Sequence, residues 1–261
     1  MYETILLDVK DRVATITINR PDVGNAFAPI SYLEVRQALE ACGQDDAVGA
    51  VVITGAGKHF SAGGDIGGFK TMLDSGSHIT QEGVKRAGEM AMAARLCPKP
   101  VIAMVNGAAA GAGCSLALAC DFRIVTPKSR LVLAFINVGL SGDTGAMYNL
   151  MQLVGMAKTT EMLMTGEPVF GEEAVRQGLA TLLAPEEELL TKTTEFAQKM
   201  AAKPLFAIAR QKQLLNEIYY RDIGIFTQLE AVYMEESSKT EDFAEAVNAF
   251  LEKRKPLFKG R

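Results

Sequence analysis

A stretch of twenty residues without a charge, Val101–Cys120, constrains the fold of this 261-residue chain more than any other segment. Its length matches that of a membrane span. However, it is rich in glycine and alanine rather than in leucine, isoleucine and phenylalanine, and the turn dipeptide Asn106–Gly107 interrupts it. We therefore predict a buried strand, a tight turn and a buried helix of small residues, and no membrane helix.

Short β-rich runs alternate with helical segments in the first two thirds of the chain. Ile5–Val9 and Val13–Asn19 are joined by Asp11–Arg12 and form a predicted hairpin. A helix is predicted from near Pro29 to about Cys42. The further predicted strands are Ala50–Thr54, Val101–Val105, Phe122–Thr126 and Leu131–Ala134.

The pattern becomes mostly helical from about residue 144 onward, and Pro204 is a natural helix start. Strand–helix units therefore come first and helices come last. We predict an α/β core over residues 1–195 and a helical region over residues 196–261. The segment Gly55–Gly68 is rich in glycine and is predicted to be irregular.

Charge and cysteine content limit the class of protein. The net charge of −4 provides no basic surface for nucleic acid or for a membrane. The four cysteines form no C-x-x-C pair, and Met1–Lys10 does not resemble a signal peptide, so we expect reduced thiols in the cytoplasm. Two histidines are too few for a zinc cluster, and no metal is expected.

Three motif matches fail on their own requirements. Gly55–His59 resembles part of a Walker A loop, but Val52 stands where the first glycine is needed. Gly111–Gly113 is followed by Leu116 where a dinucleotide fingerprint needs glycine or alanine. Gly113–Ala117 resembles a nucleophile elbow, but both histidines precede the serine, whereas a hydrolase base follows it.

Two strand–loop–helix junctions of the same kind remain, at Phe60–Ile66 and Asn106–Cys114. Small residues after a strand let a ligand approach the backbone, and a helix N-terminus directs free N–H groups towards it. If the two junctions converge, they can stabilise a developing oxyanion. The alternative is that the glycines only close tight turns.

Several segments, in order along nearly the whole chain, resemble the enoyl-CoA hydratase/isomerase (crotonase) superfamily. The matching segments are Val13–Pro21 with Asn25–Ala26, Phe60–Ile66, Lys99–Gly107, Gly113–Asp121, Gly178–Leu179 and Glu252–Pro256. The resemblance implies a spiral of ββα units with a C-terminal helical trimerisation region. It also implies a homotrimer or a dimer of trimers.

The same resemblance implies an acyl-CoA thioester as substrate, so that coenzyme A is part of the substrate and no separate cofactor is expected. It places the two oxyanion N–H groups at Gly64 and Ala112. The loop that contacts coenzyme A corresponds to Asn25 and Ala26, and the adenine pocket to Ala62, Asp65 and Ile66. Lys255 and Phe258 lie in the tail, which either reaches a neighbour's nucleotide or is a solvated helix end.

The chain departs from the family's hydratases at two positions. Their two water-activating glutamates correspond to Ser115 and Phe135. Neither residue can act as a general acid or base in that way, so we do not expect simple hydratase activity. Both positions are still expected to lie at the substrate.

One acid occurs nearby, Asp143, in the loop before the next helix. Taken alone, an aspartate before Thr–Gly is more often a cap or turn residue. The resemblance to ring-epoxide isomerases and enoyl-CoA isomerases instead implies a single proton shuttle, and Leu140 and Phe135 would raise its pKa by desolvation. The dehalogenases of the family use a histidine and a tryptophan, but this chain has no tryptophan.

We therefore expect an acyl-CoA double-bond isomerase of fatty-acid or aromatic degradation. The alternatives are a hydratase-like lyase, a thioester hydrolase or dehalogenase, and a non-catalytic coenzyme A-binding paralogue. The resemblance also implies that the segment Gly67–Arg86 shapes the acyl pocket, but its sequence does not reveal which acyl group binds. Asp74 and His78 in this segment are expected at the surface.

Overall fold

The N-terminal hairpin forms one edge of the larger of two sheets in the computed structural model, which describes residues 2–261. Strands β1 (Ile5–Lys10) and β2 (Val13–Ile18) are antiparallel, with Ile5 opposite Ile18. Asp11 and Arg12 close the turn with φ angles of 49° and 65°. The predicted hairpin is confirmed.

The other strands add to this hairpin or form a second, smaller sheet. They are β3 (Ala50–Gly55), β4 (Val101–Val105), β5 (Ala108–Ala110), β6 (Phe122–Val125), β7 (Arg130–Val132), β8 (Val169–Phe170) and β9 (Leu182–Leu183). The six-stranded sheet has the order β1-β2-β3-β4-β6-β9, and every pair after the hairpin is parallel. The three-stranded sheet has the order β5-β7-β8.

Ten α-helices are present in residues 2–261. They are α1 (Pro29–Gln44), α2 (Ile66–Asp74), α3 (Gln81–Leu96), α4 (Ala112–Ala119), α5 (Ala146–Thr165), α6 (Gly171–Arg176), α7 (Leu189–Ala201), α8 (Leu205–Tyr219), α9 (Ile223–Ser237) and α10 (Glu241–Leu251). Three short 3-10 turns cover Pro21–Val23, Ile136–Val138 and Glu186–Glu188. No helix in the described part of the chain is both long enough and apolar enough to cross a membrane.

The charge-free segment forms β4, a turn, β5 and α4, and every residue of β4 and α4 is buried. The predicted strand and helix are confirmed, whereas β5 was not predicted because its three residues are all alanine. The helix packs closely against the chain near Ser61, since a Cβ atom at Gly113 would come within 2.6 Å of the Ser61 Cβ. Its small residues therefore bring the two junctions into contact.

The expectation of an irregular segment up to Gly68 was wrong at its end, because α2 already begins at Ile66. The Asp65 carboxylate accepts hydrogen bonds from the N–H groups of Gly67 and Gly68, at 3.1 and 3.3 Å. This N-cap compensates for two glycines at the helix start.

Among the C-terminal helices, α7 packs on the larger sheet, whereas α9 and α10 pack on elements close to the site. Helix α7 packs on strands β2, β3, β4 and β6, and the predicted boundary at residue 195 falls inside this helix. Helix α9 packs along α3, and α10 packs on α2 and on the turn Ile136–Val138. Two helices from the end of the chain thus surround the loops that follow the central strands.

Candidate active site

The two glycine-rich junctions lie side by side. The Ser61 N–H donates to the Ala108 carbonyl at 3.1 Å, and the Ala110 N–H donates to the Ser61 carbonyl at 2.9 Å. These bonds extend β5 by one parallel bridge between Ser61 and Ala109. The backbone before Gly64 is therefore fixed against the backbone before Ala112.

Gly63 is required at this contact. Its φ angle is 88°, and a Cβ atom would lie 2.7 Å from the Ala110 carbonyl oxygen and 3.4 Å from the Ala112 nitrogen. The Gly63 carbonyl also accepts a hydrogen bond from the Phe27 N–H at 2.7 Å. Only glycine allows the chain to turn here at this distance.

The amides of Gly64 and Ala112 have no hydrogen-bond acceptor within residues 2–261. Both residues line the same cavity. Ala112 is the first residue of α4, whose N-terminal N–H groups carry a partial positive charge. Two free main-chain donors at one cavity, one of them at a helix N-terminus, are suited to bind a carbonyl oxygen that becomes negative.

This cavity, which we call the outer chamber, has a volume of about 580 Å³. Apolar side chains form most of its wall, including Val23, Ile66, Val138 and, from α10, Phe250 and Leu251. The site residues expected from the sequence that line it are Ala26, Ala62, Gly64, Asp65, Ile66, Ala112, Phe135, Leu140 and Asp143. The structure thus assembles these residues around one space.

Asp143 is held in this wall by a strained loop. The φ angles of Thr144 and Gly145 are 64° and 68°, so two successive residues adopt the left-handed conformation before α5 begins. The Asp143 side chain is buried, and its Oδ1 accepts a 2.6 Å hydrogen bond from the Thr144 hydroxyl. Burial raises the pKa of Asp143 to about 6, although this hydrogen bond acts in the opposite direction.

A second cavity of about 360 Å³, the inner chamber, adjoins the first. Helices α2 and α3 contribute Met72, Val84 and Ala87 to its wall. The residues that line both chambers are Tyr32, Gly64, Asp65, Phe69, Asp143 and Met234. Asp143 and the Gly64 amide therefore lie where the two chambers meet.

His78, expected at the surface, has a side chain that is 40% exposed and also borders the inner chamber. Its Nε2 lies 3.3 Å from an Oε1 atom of Glu235. Asp74 is exposed and forms an ion pair with Lys70, as expected of a surface residue. The acyl segment thus contributes three polar side chains to the inner chamber, those of His78, Thr80 and Arg86.

Asn25 and Ser115 are buried and do not line either chamber. The Asn25 amide donates to the carbonyls of Ala56 and His59 at 2.9 and 2.6 Å, so it braces the loop rather than contacting the cavity. The Ser115 hydroxyl donates to the Gly111 carbonyl one turn earlier in the chain, at 3.0 Å. Phe135 occupies the chamber wall as an apolar surface.

Lys255 and Phe258 also lie away from both chambers. The tail folds back along α10, where the N–H groups of Lys259 and Gly260 donate to the Asp242 carboxylate at 2.6 and 2.7 Å. Within a single chain, the tail therefore contacts its own last helix.

Asp65 is the second carboxylate at the outer chamber, but its oxygens are engaged. One caps α2, and the other lies 3.0 Å from a guanidinium nitrogen of Arg20. Within residues 2–261 no group of three or more His, Cys, Asp or Glu side chains is arranged to hold a metal ion. Of the two carboxylates at the outer chamber, Asp65 and Asp143, only that of Asp143 neither pairs with a cation nor caps a helix.

Two residues at the site were missed by the sequence analysis. Tyr32 lines both chambers, and burial, with the charges of Asp143 and Asp65, raises the pKa of its phenol, which therefore stays a hydrogen-bond donor. Glu230 is buried next to the Asp143 loop. Its only signal in the sequence is a glutamate one helical turn before Met234, on the apolar side of a helix.

Comparison with known proteins agrees with this geometry. A family model described as "Enoyl-CoA hydratase/isomerase" matches residues 8–261. A trans-2-decenoyl-[acyl-carrier-protein] isomerase of Streptococcus mutans is 32% identical over 263 residues, which cover 100% of this chain and 99% of the relative. A 1,2-epoxyphenylacetyl-CoA isomerase of Escherichia coli is 31% identical over 269 residues, and both chains are covered completely.

A solved structure shows the same fold. The crystal structure of an enoyl-CoA hydratase from Mycobacterium avium subsp. paratuberculosis K-10 superposes with a TM-score of 0.90 at 29% identity. It covers 99% of this chain and 100% of the matched chain. The expected α/β fold with a helical C-terminal region is thereby confirmed.

Proposed function

The chain belongs to the enoyl-CoA hydratase/isomerase family, and we propose that it is an acyl-CoA double-bond isomerase in which Asp143 is the single proton shuttle. The relatives include both isomerases and a hydratase, so their names do not decide between these activities. The arrangement of groups at the cavity supports the choice.

One observation carries the proposal. Asp143 is the one carboxyl group at the chambers that is not engaged by a cation or a helix N-terminus, among the residues that the structure describes. Ser115 and Phe135 stand where a water-activating pair of glutamates is expected, and neither can transfer a proton in its place. A single acid suits a reaction that moves one proton, whereas hydration needs two groups acting together.

The reaction follows from this arrangement. The carbonyl oxygen of a 3-enoyl thioester accepts hydrogen bonds from the amides of Gly64 and Ala112. Ionised Asp143 takes a proton from C2, and the electron pair of that C–H bond moves into the dienolate. The same carboxyl then returns the proton to C4, which gives the conjugated 2-enoyl thioester and restores the carboxylate.

The environment of Asp143 supports this role. Burial raises its pKa to about 6, so the carboxyl is mostly ionised at pH 7 and is still a stronger base than an exposed aspartate. Two neutral N–H donors can stabilise the dienolate and leave the basicity of the carboxylate unchanged. A nearby cation would instead lower the pKa of the carboxylate and make it a weaker base.

The two chambers support an apolar acyl group, either an alkyl chain or a ring. Apolar side chains, including Met72 of α2 and Val84 and Ala87 of α3, line much of the inner chamber, which Gly64 also lines. The outer chamber extends from the same amide towards Val23, Ala62 and Ile66 and has room for the pantetheine arm of coenzyme A. We place the acyl group in the inner chamber and the coenzyme A moiety in the outer one.

We also propose a homotrimer or a dimer of trimers, in the cytoplasm. Large apolar side chains are exposed along α8 and α9, including Phe206, Leu214, Ile218, Ile225 and Tyr233. A second copy of this chain would remove these side chains from water. Sedimentation equilibrium measures the molecular mass directly, and a monomer at micromolar concentration would contradict this assembly.

The activity is tested by incubating the protein with a 3-enoyl-CoA in D2O. We expect a conjugated 2-enoyl-CoA, detected by its ultraviolet absorbance, and mass spectrometry should find deuterium at C4 only for those turnovers in which the proton held by Asp143 exchanges with solvent before it is returned. Asp143→Asn should lower kcat at least 10³-fold, since no other base is positioned to replace it. Asp74→Asn, which alters an exposed aspartate, is the matched control.

Three other outcomes would contradict the proposed isomerase activity or the role of Asp143. Unchanged turnover in Asp143→Ala would remove Asp143 from the mechanism. Tight binding of coenzyme A without turnover over a broad panel of acyl groups would indicate a non-catalytic paralogue. Formation of 3-hydroxyacyl-CoA from a 2-enoyl-CoA would indicate a hydratase.

A further inference from the structure

A second buried carboxyl group holds the loop that carries Asp143. Glu230 lies on α9, with 7% of its surface exposed. Its Oε2 accepts a 2.9 Å hydrogen bond from the N–H of Gly145, two residues after Asp143. The carbonyl of the same glycine accepts a 2.9 Å hydrogen bond from the Asn149 amide. The Gly145 residue is thus held on both sides, by two side chains from different helices.

The surroundings of Glu230 favour an uncharged carboxyl. Within residues 2–261, no lysine, arginine or histidine forms an ion pair with Glu230 or with Asp143. An ionised carboxylate that is buried without a cation is strongly disfavoured, and two neighbouring ones are disfavoured further. Asn149 Oδ1, an acceptor beside Gly145, is buried and has no hydrogen-bond partner in the described chain.

We propose that Glu230, in its uncharged form, is a positioning residue that holds the Gly145 N–H and thereby fixes Asp143 as the only charged carboxyl of the pair. The proposal rests on the role of Asp143 given above. Under this proposal the C-terminal helical region, through Glu230 of α9, supplies a part of the site. Ionisation of Glu230 would place a second negative charge beside Asp143 and abolish activity.

The other charged groups around this pair already have partners. On α1, Tyr32 faces Asp143 and stays protonated. On α3, the buried side towards α9 consists mainly of small and apolar residues, and Gly88 lies against Thr227. Arg86 and His78, which line the inner chamber with Asp143, pair with Glu82 and Glu235. Arg95, which is buried on α3, pairs with Asp121, and Asp65 pairs with Arg20. Asp143 is therefore the charged neighbour that acts on Glu230.

The two acids titrate in a fixed order in this arrangement. Burial raises the pKa of Glu230 to about 8, the Gly145 hydrogen bond acts against this, and the charge of Asp143 raises it further. Asp143, with a pKa near 6, ionises first. At pH 7 the pair therefore holds one charge and one proton. Above pH 8 a second negative charge would repel both Asp143 and the dienolate.

The kinetic test compares Glu230→Gln with the wild type and with Glu236→Gln, an exposed glutamate on the same helix. Glutamine keeps the shape and the acceptor of the neutral acid but cannot ionise. In wild type and Glu236→Gln, kcat/KM should rise near pH 6 and fall near pH 8. In Glu230→Gln the rise should remain and the fall should disappear. A fall near pH 8 that persists in Glu230→Gln would overturn the proposal.

A second variant tests the positioning itself. Glu230→Ala removes the acceptor of the Gly145 N–H, and we expect kcat to fall at least tenfold at pH 7 while KM changes less than twofold. Circular dichroism shows whether the variant is folded. Wild-type kcat in a folded Glu230→Ala variant would contradict the positioning role.

A readout independent of activity separates this proposal from the isomerase assignment. Infrared spectra at pH 7 should contain a carbonyl band of a protonated carboxylic acid in wild type and Glu236→Gln, and this band should be absent in Glu230→Gln. If the band is lost only in Glu230→Gln but no isomerase activity is found, the proposed function is wrong, whereas the uncharged state of Glu230 is supported. If the band is identical in all three proteins, Glu230 is ionised and the proposal fails.

Discussion

The hydroxyl of Thr144 donates a 2.6 Å hydrogen bond to Oδ1 of Asp143, the residue immediately before it. This bond stabilises the ionised carboxylate and opposes the effect of burial on its pKa. Thr144 adopts a φ angle of 64°, which is uncommon for a β-branched residue. A strained residue is therefore retained beside the proposed base, where its hydroxyl sets the basicity.

We expect Thr144→Val to move the acid limb of the pH profile of kcat/KM to a higher pH. Valine keeps the branched shape and the backbone strain but cannot donate a hydrogen bond, so the Asp143 pKa should rise above about 6. A charge-assisted hydrogen bond of this kind corresponds to about one pH unit. Thr144→Ser, which keeps the hydroxyl, is the control. An unchanged midpoint in Thr144→Val would show that the bond does not act on the carboxylate.

The two buried acids should make the protein less stable as the pH rises. Their pKa values increase on folding, from 3.8 to about 6 for Asp143 and from 4.5 to about 8 for Glu230. The unfolded chain releases both protons near pH 4, whereas the folded chain keeps the Asp143 proton up to about pH 6 and the Glu230 proton up to about pH 8. The free energy of unfolding should therefore fall between about pH 4 and pH 8 by several kcal/mol at most, since one unit of pKa difference corresponds to about 1.4 kcal/mol.

Urea denaturation at pH 5 and pH 8, at one protein concentration, measures this fall. The double variant Asp143→Asn/Glu230→Gln should show a smaller difference between the two pH values than the wild type. Equal differences in the two proteins would mean that neither acid has a raised pKa in the folded state.

The Ala112 amide can be removed without replacing a side chain that contacts substrate. Ala112 is the first residue of α4, a position at which proline is tolerated because its missing N–H has no partner inside the helix. We expect Ala112→Pro to lower kcat about 10²- to 10³-fold, as for the loss of one oxyanion donor. Ala112→Gly keeps the N–H and should retain activity. Comparable kcat values in both variants would exclude this amide as an oxyanion ligand.

The inner chamber should set the length of the acyl group. Gly83 on α3 lines this chamber, and a Cβ atom there would make only an ordinary 3.5 Å contact with the Thr80 hydroxyl oxygen. Gly83→Leu should therefore fold, fill part of the chamber and lower kcat/KM for long-chain substrates at least tenfold. Four-carbon substrates should be affected much less. An equal loss for both lengths would place the acyl group elsewhere, and Gly83→Ala is the control.

Local patterns in the sequence were sufficient for much of the fold. Alternating β-branched residues predicted the hairpin, and the charge-free segment predicted β4 and α4, because both patterns arise from burial along one element. The start of α2 was missed because one side chain, Asp65, caps a helix that contains two glycines at its beginning. Strand β5 was missed because alanine has no strong preference for a strand.

The site was less predictable, since its geometry depends on contacts between distant segments. The glycine patterns and the family resemblance led to Gly64, Ala112 and Asp143, which the structure brings to one cavity. The same resemblance placed Asn25 and Ser115 at the substrate, whereas both side chains bond to nearby backbone carbonyls. The bond between Glu230 and Gly145 joins residues 85 positions apart, and no local pattern indicates it.

That long-range bond also has a consequence for the order in which a newly made chain becomes active. A ribosome releases the strands, both glycine-rich junctions and Asp143 well before α9. A nascent chain can therefore complete its carbonyl-binding pocket while the loop around Gly145 still lacks its second support. Only when the last helices have been synthesised and have docked does the base acquire a fixed position. Competence for proton transfer thus reports that the whole chain has been made and folded.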